Sequence, residues 1–147
     1  PLLFHLAGFR SHVKDMTFML QKEVVDRMVA QPNDAAYGRL SVMLQYRFDM
    51  ASLFDVPPHA FNPAPKVTSS IVYLRPKQAD QIICADEALL EKVVARAFGQ
   101  RRKTLRNTLA EYLNDQDFEQ LGVDSKLRAE ALSVADYLRI TDYLSQK

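Results

Sequence analysis

Apolar positions recur along this chain in two rhythms, and the change from one to the other divides it. Residues 1–9 carry apolar side chains at helical spacing and predict the end of an amphipathic helix. Met16-Thr17-Phe18-Met19-Leu20 is a nearly continuous apolar run, the pattern of a strand buried on both faces. From Gln21 the period becomes helical. Val24, Val25, Met28 and Val29 fall on one side, Lys22, Glu23, Asp26 and Arg27 on the other, and Gln31-Pro32-Asn33-Asp34 stops the helix. A second helix is predicted from Tyr37 to about Tyr46, with Leu40, Met43 and Leu44 inward. Phe48 to Val56 reads as a strand, Pro57 to Lys66 as a proline-stiffened loop, and Val67 to Leu74 as a strand rich in β-branched residues. No helical pattern fits between these two strands, so they are expected to run antiparallel as neighbours or near neighbours.

After Arg75-Pro76-Lys77 the alternating patterns end. Lys77 to Ala85 reads as a linker, and Asp86-Glu87 as the capped start of a helix whose apolar stripe is Leu89, Leu90, Val93, Val94, Ala97 and Phe98 and whose end is Gly99. Leu105, Leu109, Tyr112 and Leu113 mark one face of the next helix and leave Arg102, Lys103 and Arg106 on another. Helical segments follow around Phe118 to Leu121 and from Ser133 to Ser145, where Val134, Tyr137, Leu138, Thr141 and Leu144 recur at the right interval. The expected fold class is α/β for residues 1–76, followed by an all-α domain over residues 77–147.

Composition allows this and narrows the setting. A chain of 147 residues with 48% apolar composition can bury a core as one domain or two small ones. The single cysteine, Cys84, excludes an internal disulfide and fits a reducing compartment. Pro1 to Phe9 is too short to cross a bilayer and lacks a secretory leader, so a soluble, intracellular protein is expected. The chain opens at Pro1 inside what reads as a helix, and further sequence is expected upstream.

The net charge is only +1, yet charge is strongly segregated. Six basic residues and no acidic one lie between Lys92 and Arg106, and Glu111, Asp115, Asp117, Glu119 and Asp124 follow within eighteen residues. Most charge runs are solvated helix faces. Here the interspersed acids are missing, Arg outnumbers Lys around Arg101-Arg102-Lys103, and Gln100, Thr104 and Asn107 add neutral hydrogen-bonding groups. These features suit phosphate recognition, and both readings stay open on the residues alone.

A second feature is Phe61-Asn62-Pro63-Ala64-Pro65-Lys66. Pro63 and Pro65 disfavour helix at Asn62 and Ala64, which makes the loop stiff and extended. A held ring can sandwich an unpaired base, or it can simply cap a hydrophobic edge. The four glycines are scattered, so there is no glycine-rich phosphate loop. His5, His12 and His59 have no metal-ligand spacing, no metal is expected, and Ser69 and Ser70 have no base that sequence can identify. The residues alone give an α/β piece joined to a basic helical piece, with no complete active site.

Five blocks carry a resemblance: Phe18-Met19-Leu20-Gln21-Lys22-Glu23-Val24; Tyr37-Gly38-Arg39-Leu40-Ser41-Val42; Val56-Pro57-Pro58 with Phe61 to Ser70; Gln100 to Leu109; and Arg128-Ala129-Glu130 leading to Leu132-Ser133-Val134. In order and spacing the chain resembles the C-terminal portion of the bacterial small-subunit rRNA adenine dimethyltransferase family, the kasugamycin-resistance methylases. The resemblance implies the last three strands of a Rossmann-like methyltransferase sheet and a small helical rRNA-binding domain. It implies transfer of methyl groups from S-adenosylmethionine to N6 of two adjacent adenosines near the 3′ end of small-subunit rRNA, in the cytoplasm, on the small ribosomal subunit. The family's cofactor and catalytic motifs would lie upstream, so this chain alone is expected to be inactive and to hold no cofactor site. By resemblance Phe61 faces the target base, Gln100, Arg101, Arg102, Lys103, Arg106 and Asn107 contact rRNA, and Lys66 is a backbone contact beside the pocket. Rival readings are a relative acting on other RNA, such as large-subunit rRNA, and a non-catalytic RNA-binding or assembly module. With its usual neighbour absent, the strand at Met16 to Leu20 would leave a sheet edge open to association.

Overall fold

The structure is a computed structural model that describes residues 14–81 and 84–147. The helix expected at residues 1–9 lies outside the described residues. The chain divides into two compact units, residues 14–30 with 43–81 and residues 31–42 with 84–147. The segment 31–42 groups with the later helices. Tyr37 is the physical reason: fully buried, it donates its hydroxyl to the Leu132 carbonyl at 2.7 Å, a bond no contiguous division would anticipate.

In the first unit, strand β1 (Met16–Gln21) runs directly into helix α1 (Lys22–Val29), and β2 (Phe48–Val56) and β3 (Ser69–Pro76) complete the sheet. The strand order is β1-β3-β2 and both pairings are antiparallel. Sequence periodicity anticipated the β2–β3 pairing, while β3 begins two residues later than expected, leaving Val67 outside it. Val25 and Met28 of α1 are completely buried, as are Val72 and Leu74 of β3. At 25 cal/mol per Å2 of apolar surface, a fully buried side chain of this size contributes roughly 1.5 to 3 kcal/mol. The Gln45 side-chain amide closes the C-terminal end of α1 by donating to the carbonyls of Met28 and Ala30 at 2.9 and 2.7 Å.

The expectation of a strand buried on both faces at Met16 to Leu20 is corrected. β1 alternates between partly buried and exposed positions, and Met19 is 49% exposed. Met19 and Phe54 both oppose Ile71, so the three share one sheet face, on which Phe54 is also 59% exposed. The outer edge of β1 has no strand partner among the described residues.

The second unit contains helices α3 (Glu87–Gly99), α4 (Leu105–Thr108), α5 (Asp115–Leu121) and α6 (Val134–Gln146). The intervening helix α2 (Arg39–Gln45) carries the boundary between units, with Ser41, Val42, Met43 and Leu44 all buried. Asp86 caps α3 by accepting from the Leu89 amide at 3.0 Å, as the sequence predicts. Asn114 with Asp117, and Ser133 with Asp136, form reciprocal capping boxes at α5 and α6. Gly122 ends α5 at φ 68°, a left-handed conformation that favours glycine.

Leu90, Val93, Val94 and Ala97 from α3 join Tyr137 and Ile140 from α6 in the core. The Phe98 ring packs edge-on to Tyr37 at 6.0 Å between centroids and tilted against Tyr137 at 5.8 Å. Burial pushes both tyrosine hydroxyls well above their ordinary pKa, with negative charge at Asp136 adding to it.

Periodicity predicted one helix through Leu105, Leu109 and Leu113, and these three side chains are indeed buried. The helix itself is shorter. After Thr108 the chain passes into turns, in which the Tyr112 and Leu113 amides donate to the Leu109 carbonyl at 2.9 and 2.8 Å before Asn114 caps α5. The helix begins only at Leu105, so Arg102 and Lys103 sit in the turn that precedes α4, not on a helix face.

Candidate functional site

Each unit presents one of the two features that sequence singles out. In the first, Val56 and Ser69 form the last rung between β2 and β3, and the loop 57–68 hangs from that rung. Pro57 is extended and leads into a single 3-10 turn, Pro58–Ala60. Phe61 follows in an extended conformation, φ −115° and ψ 155°, with its amide donating to the Pro58 carbonyl at 3.2 Å. Pro57, Pro58, Pro63 and Pro65 remove amide donors and fix φ, so the segment can join neither the sheet nor a helix. The Asn62–Pro63 peptide is cis. Phe61 is partly buried, neither sealed in the core nor fully exposed. Lys66 is exposed in the same loop.

Helix α3 of the second unit ends at Gly99, and the Lys103 amide donates to the Gln100 carbonyl at 2.9 Å, closing a tight turn. Thr104 then pairs with Arg128 in an antiparallel bridge. The first two amides of α4, Leu105 and Arg106, donate to the carbonyls of Leu127 and Ser125 at 2.8 and 3.0 Å. These amides, which at other helix starts can hold an anion, are spent on the backbone. Side chains must supply any grip on phosphate.

The basic residues divide into tied and free. Arg101 donates from Nε to Glu130 at 3.0 Å and from Nη2 to the Ala35 carbonyl at 3.1 Å. Glu130 in turn uses its backbone carbonyl to accept from the Asn33 amide at 2.8 Å. Arg101 thus fastens the turn to the segment around Asp34 and Ala35. Arg106 pairs with Asp115 at 2.8 Å, and Arg96 with Glu111 at 2.7 Å, so acids that follow the basic run in sequence fold back onto it. Both pairs are exposed, and such pairs contribute about 0 to 1 kcal/mol, little enough for a phosphate to displace the carboxylate. Arg102 and Lys103 are exposed and have no side-chain partner among the described residues. Gln100 and Asn107 are exposed beside them.

The bridge adds cations that sequence reasoning left without a role. Arg128 stands opposite Thr104, and Lys126 lies in the same returning segment, whose Leu127 and Ser125 carbonyls hold α4. Both are exposed. The block Arg128-Ala129-Glu130 was the available signal, but a separation of more than twenty residues hid its juxtaposition with Thr104.

No group of histidine, cysteine and carboxylate side chains among the described residues could hold a metal ion. His59 is exposed, and Cys84 is partly buried with its thiol pKa raised, chiefly by that burial. No helix among the described residues is long and apolar enough to cross a membrane.

A family model described as ribosomal RNA adenine dimethylase matches residues 1–146. The chain is 68% identical over 147 residues to the ribosomal RNA small subunit methyltransferase A of Aromatoleum aromaticum, covering all of this chain and 56% of that protein. It is 60% identical to the protein of the same name from Thiobacillus denitrificans, again over all of this chain and 58% of the relative. The chain thus spans a little over half the length of the curated relatives it matches. Among solved structures, a dimethyladenosine transferase from Plasmodium falciparum superposes with TM-score 0.86 at 24% identity, over 99% of this chain and 62% of that one. The 23S rRNA methyltransferase ErmE superposes with TM-score 0.63 at 22% identity, over 90% of this chain and 55% of that one. At those identities the two structures establish likeness of fold.

Proposed function

This chain belongs to the ribosomal RNA adenine dimethylase family, and from that premise we propose that it is the C-terminal part of an enzyme that dimethylates N6 of two adjacent adenosines near the 3′ end of small-subunit rRNA. Its three antiparallel strands are the end of a Rossmann-like methyltransferase sheet, and residues 77–147 form, with the segment 31–42, the helical rRNA-binding part. The small ribosomal subunit is the partner and the cytoplasm the location. Association through the open edge of β1 remains available to it.

S-adenosylmethionine is the methyl donor this family implies, and the described residues do not fit its site. A Cβ added at Gly38 or Gly99 would meet nothing within 4 Å, so neither marks a close backbone approach, and Gly122 is a helix cap. This stretch serves the reaction through RNA. Adenine N6 is a weak nucleophile because its lone pair is delocalised into the ring, and methyl transfer depends on orientation more than on proton transfer. Phe61 is the wall against which an unstacked adenine lies. Arg102 and Lys103, joined across the bridge by Arg128 and Lys126, take the phosphates, with Gln100, Asn107 and the exchangeable Arg106 beside them and Lys66 at the loop. Arg101, expected as a direct contact, acts by holding the turn.

The observation that carries this reading is the partly exposed Phe61 ring on a proline-stiffened loop. Phe61→Ala in the full-length protein is expected to leave subunit binding nearly unchanged while slowing methyl transfer by about 10- to 100-fold, the equivalent of a stacking contribution of about 1 to 3 kcal/mol. Unchanged turnover in a methyl-transfer assay removes the ring from the target site.

A further inference from the structure

Ser70 is a completely buried polar side chain on a strand whose other inward positions are Val72, Leu74 and Pro76. Its hydroxyl donates to Asp55 Oδ1 at 2.6 Å. The two residues face each other in the β2–β3 ladder, one rung before the loop that carries Phe61. That juxtaposition depends on an irregularity. Up to Ser52 opposite Val72 the register is regular, and continuing it would set Phe54 against Ser70. A bulge between Ser52 and Phe54 inserts Leu53, turns Phe54 to the other sheet face and brings Asp55 against Ser70.

The C-terminal end of the loop is fastened a second time. The Lys22 amide donates to the Thr68 carbonyl at 2.9 Å, one residue before β3 begins. The Lys22 ammonium is bound to Asp26 at 3.0 Å, and its pKa is raised first by that hydrogen bond and charge and then by the charge of Asp55. Asp55 therefore carries two relations at once, a short hydrogen bond to a buried hydroxyl and an electrostatic one to the lysine whose backbone holds the far end of the loop.

We infer that Asp55, Ser70 and Lys22 form a clamp at the base of the loop 57–68 that sets where the Phe61 ring stands, which makes them positioning residues for the target base. The inference rests on the reading that Phe61 faces that base. Stacking rewards a ring only in a defined plane, and a misplacement of about 1 Å can cost on the order of a hundredfold in rate. The prolines stiffen the loop internally, and its attachment to the sheet combines the Val56–Ser69 rung with the contacts of these three residues.

The test is a double-mutant cycle in the full-length protein with rRNA in small subunits as substrate. Asp55→Ala and Ser70→Ala should each lower kcat by roughly tenfold with KM for the subunit unchanged, and Asp55→Asn, which still accepts from Ser70, should restore most of it. Adding Asp55→Ala to Phe61→Ala should slow the enzyme no further. Losses that multiply, a raised KM at unchanged kcat, or a lowered melting temperature with normal kcat each overturn the clamp. If Asp55→Ala turns over normally while Phe61→Ala is slow, the clamp fails and the function stands; if Phe61→Ala is itself normal, both fail.

Discussion

The loop at residues 57–68 is fixed at its base by a ladder rung at Val56 and Ser69, the Asp55–Ser70 hydrogen bond and the Lys22 amide on Thr68, and internally by prolines that fix φ. The turn at residues 100–104 is closed by the Lys103 amide on the Gln100 carbonyl and the Thr104–Arg128 bridge, and one side chain, Arg101, ties it to Glu130 and the Ala35 carbonyl. Around it, Arg102, Lys103, Lys126 and Arg128 remain exposed. The difference matches the tasks proposed for the two regions. A stacking ring needs one orientation, which a fixed base enforces. Phosphates are met by charges at the ends of long side chains that can adjust, and Coulomb attraction tolerates such adjustment.

The strongest way to break the comparison is to remove the core beneath the turn. Tyr137 packs against Phe98 and donates its hydroxyl to the Ala129 carbonyl at 2.6 Å, one residue after Arg128. Tyr137→Ala is expected to cost about 3 to 5 kcal/mol in denaturant unfolding and to abolish subunit binding, whereas Tyr137→Phe should cost about 1 to 3 kcal/mol, the loss of one buried hydrogen bond. Equal effects of the two variants would mean that ring packing contributes nothing there.

A finer cut separates free from tied cations. Arg102→Ala with Lys103→Ala should reduce the slope of log affinity against log salt by about 0.7 to 0.9 per cation removed, measured by filter binding over a salt series. Arg101→Ala should change that slope less but raise amide exchange in the turn and around Asp34. The reverse ranking would make Arg101 the phosphate ligand and Arg102 the bystander.

The smallest expected effect concerns acid. Asp117 is buried and accepts from the Asn114 amide, Lys147 and Tyr143, which together lower its pKa from 3.8 to about 2. A carboxylate depressed in the folded state contributes stability above its ordinary value, and that contribution is lost as pH falls through the folded value. Melting temperature should therefore decline between about pH 4 and pH 2 in part through Asp117, and Asp117→Asn should flatten that part of the curve. In the first unit the Lys22–Asp26 bond works in the opposite direction. The raised lysine keeps its contribution through neutral pH and loses it only as the solution becomes strongly alkaline.

Much of this was legible in one dimension. The strands at Phe48 to Val56 and after Val67, their antiparallel pairing, the capped helix from Asp86 to Gly99 and the final helix after Ser133 all follow from local period and end signals. Phe61 and the Gln100 to Asn107 run were singled out because proline spacing and charge are visible as letters. What escaped was contact between distant letters. The Arg128 bridge to Thr104, the Arg106–Asp115 pair that mutes part of the basic run, and the burial of Tyr37 among later helices depend on closures no local pattern encodes.

By itself the sequence determined which segments could be helix or strand, where a stiff aromatic loop and a concentration of positive charge lie, and, through its blocks, the family. Those properties are set by neighbours a few positions apart, through backbone sterics and periodicity. Only the tertiary structure decided which cations are free, that a one-residue bulge sets Asp55 against Ser70, and that residues 31–42 belong with the second half. Register and ion pairing are settled by competition among all partners the folded chain brings within reach, and that competition is not local.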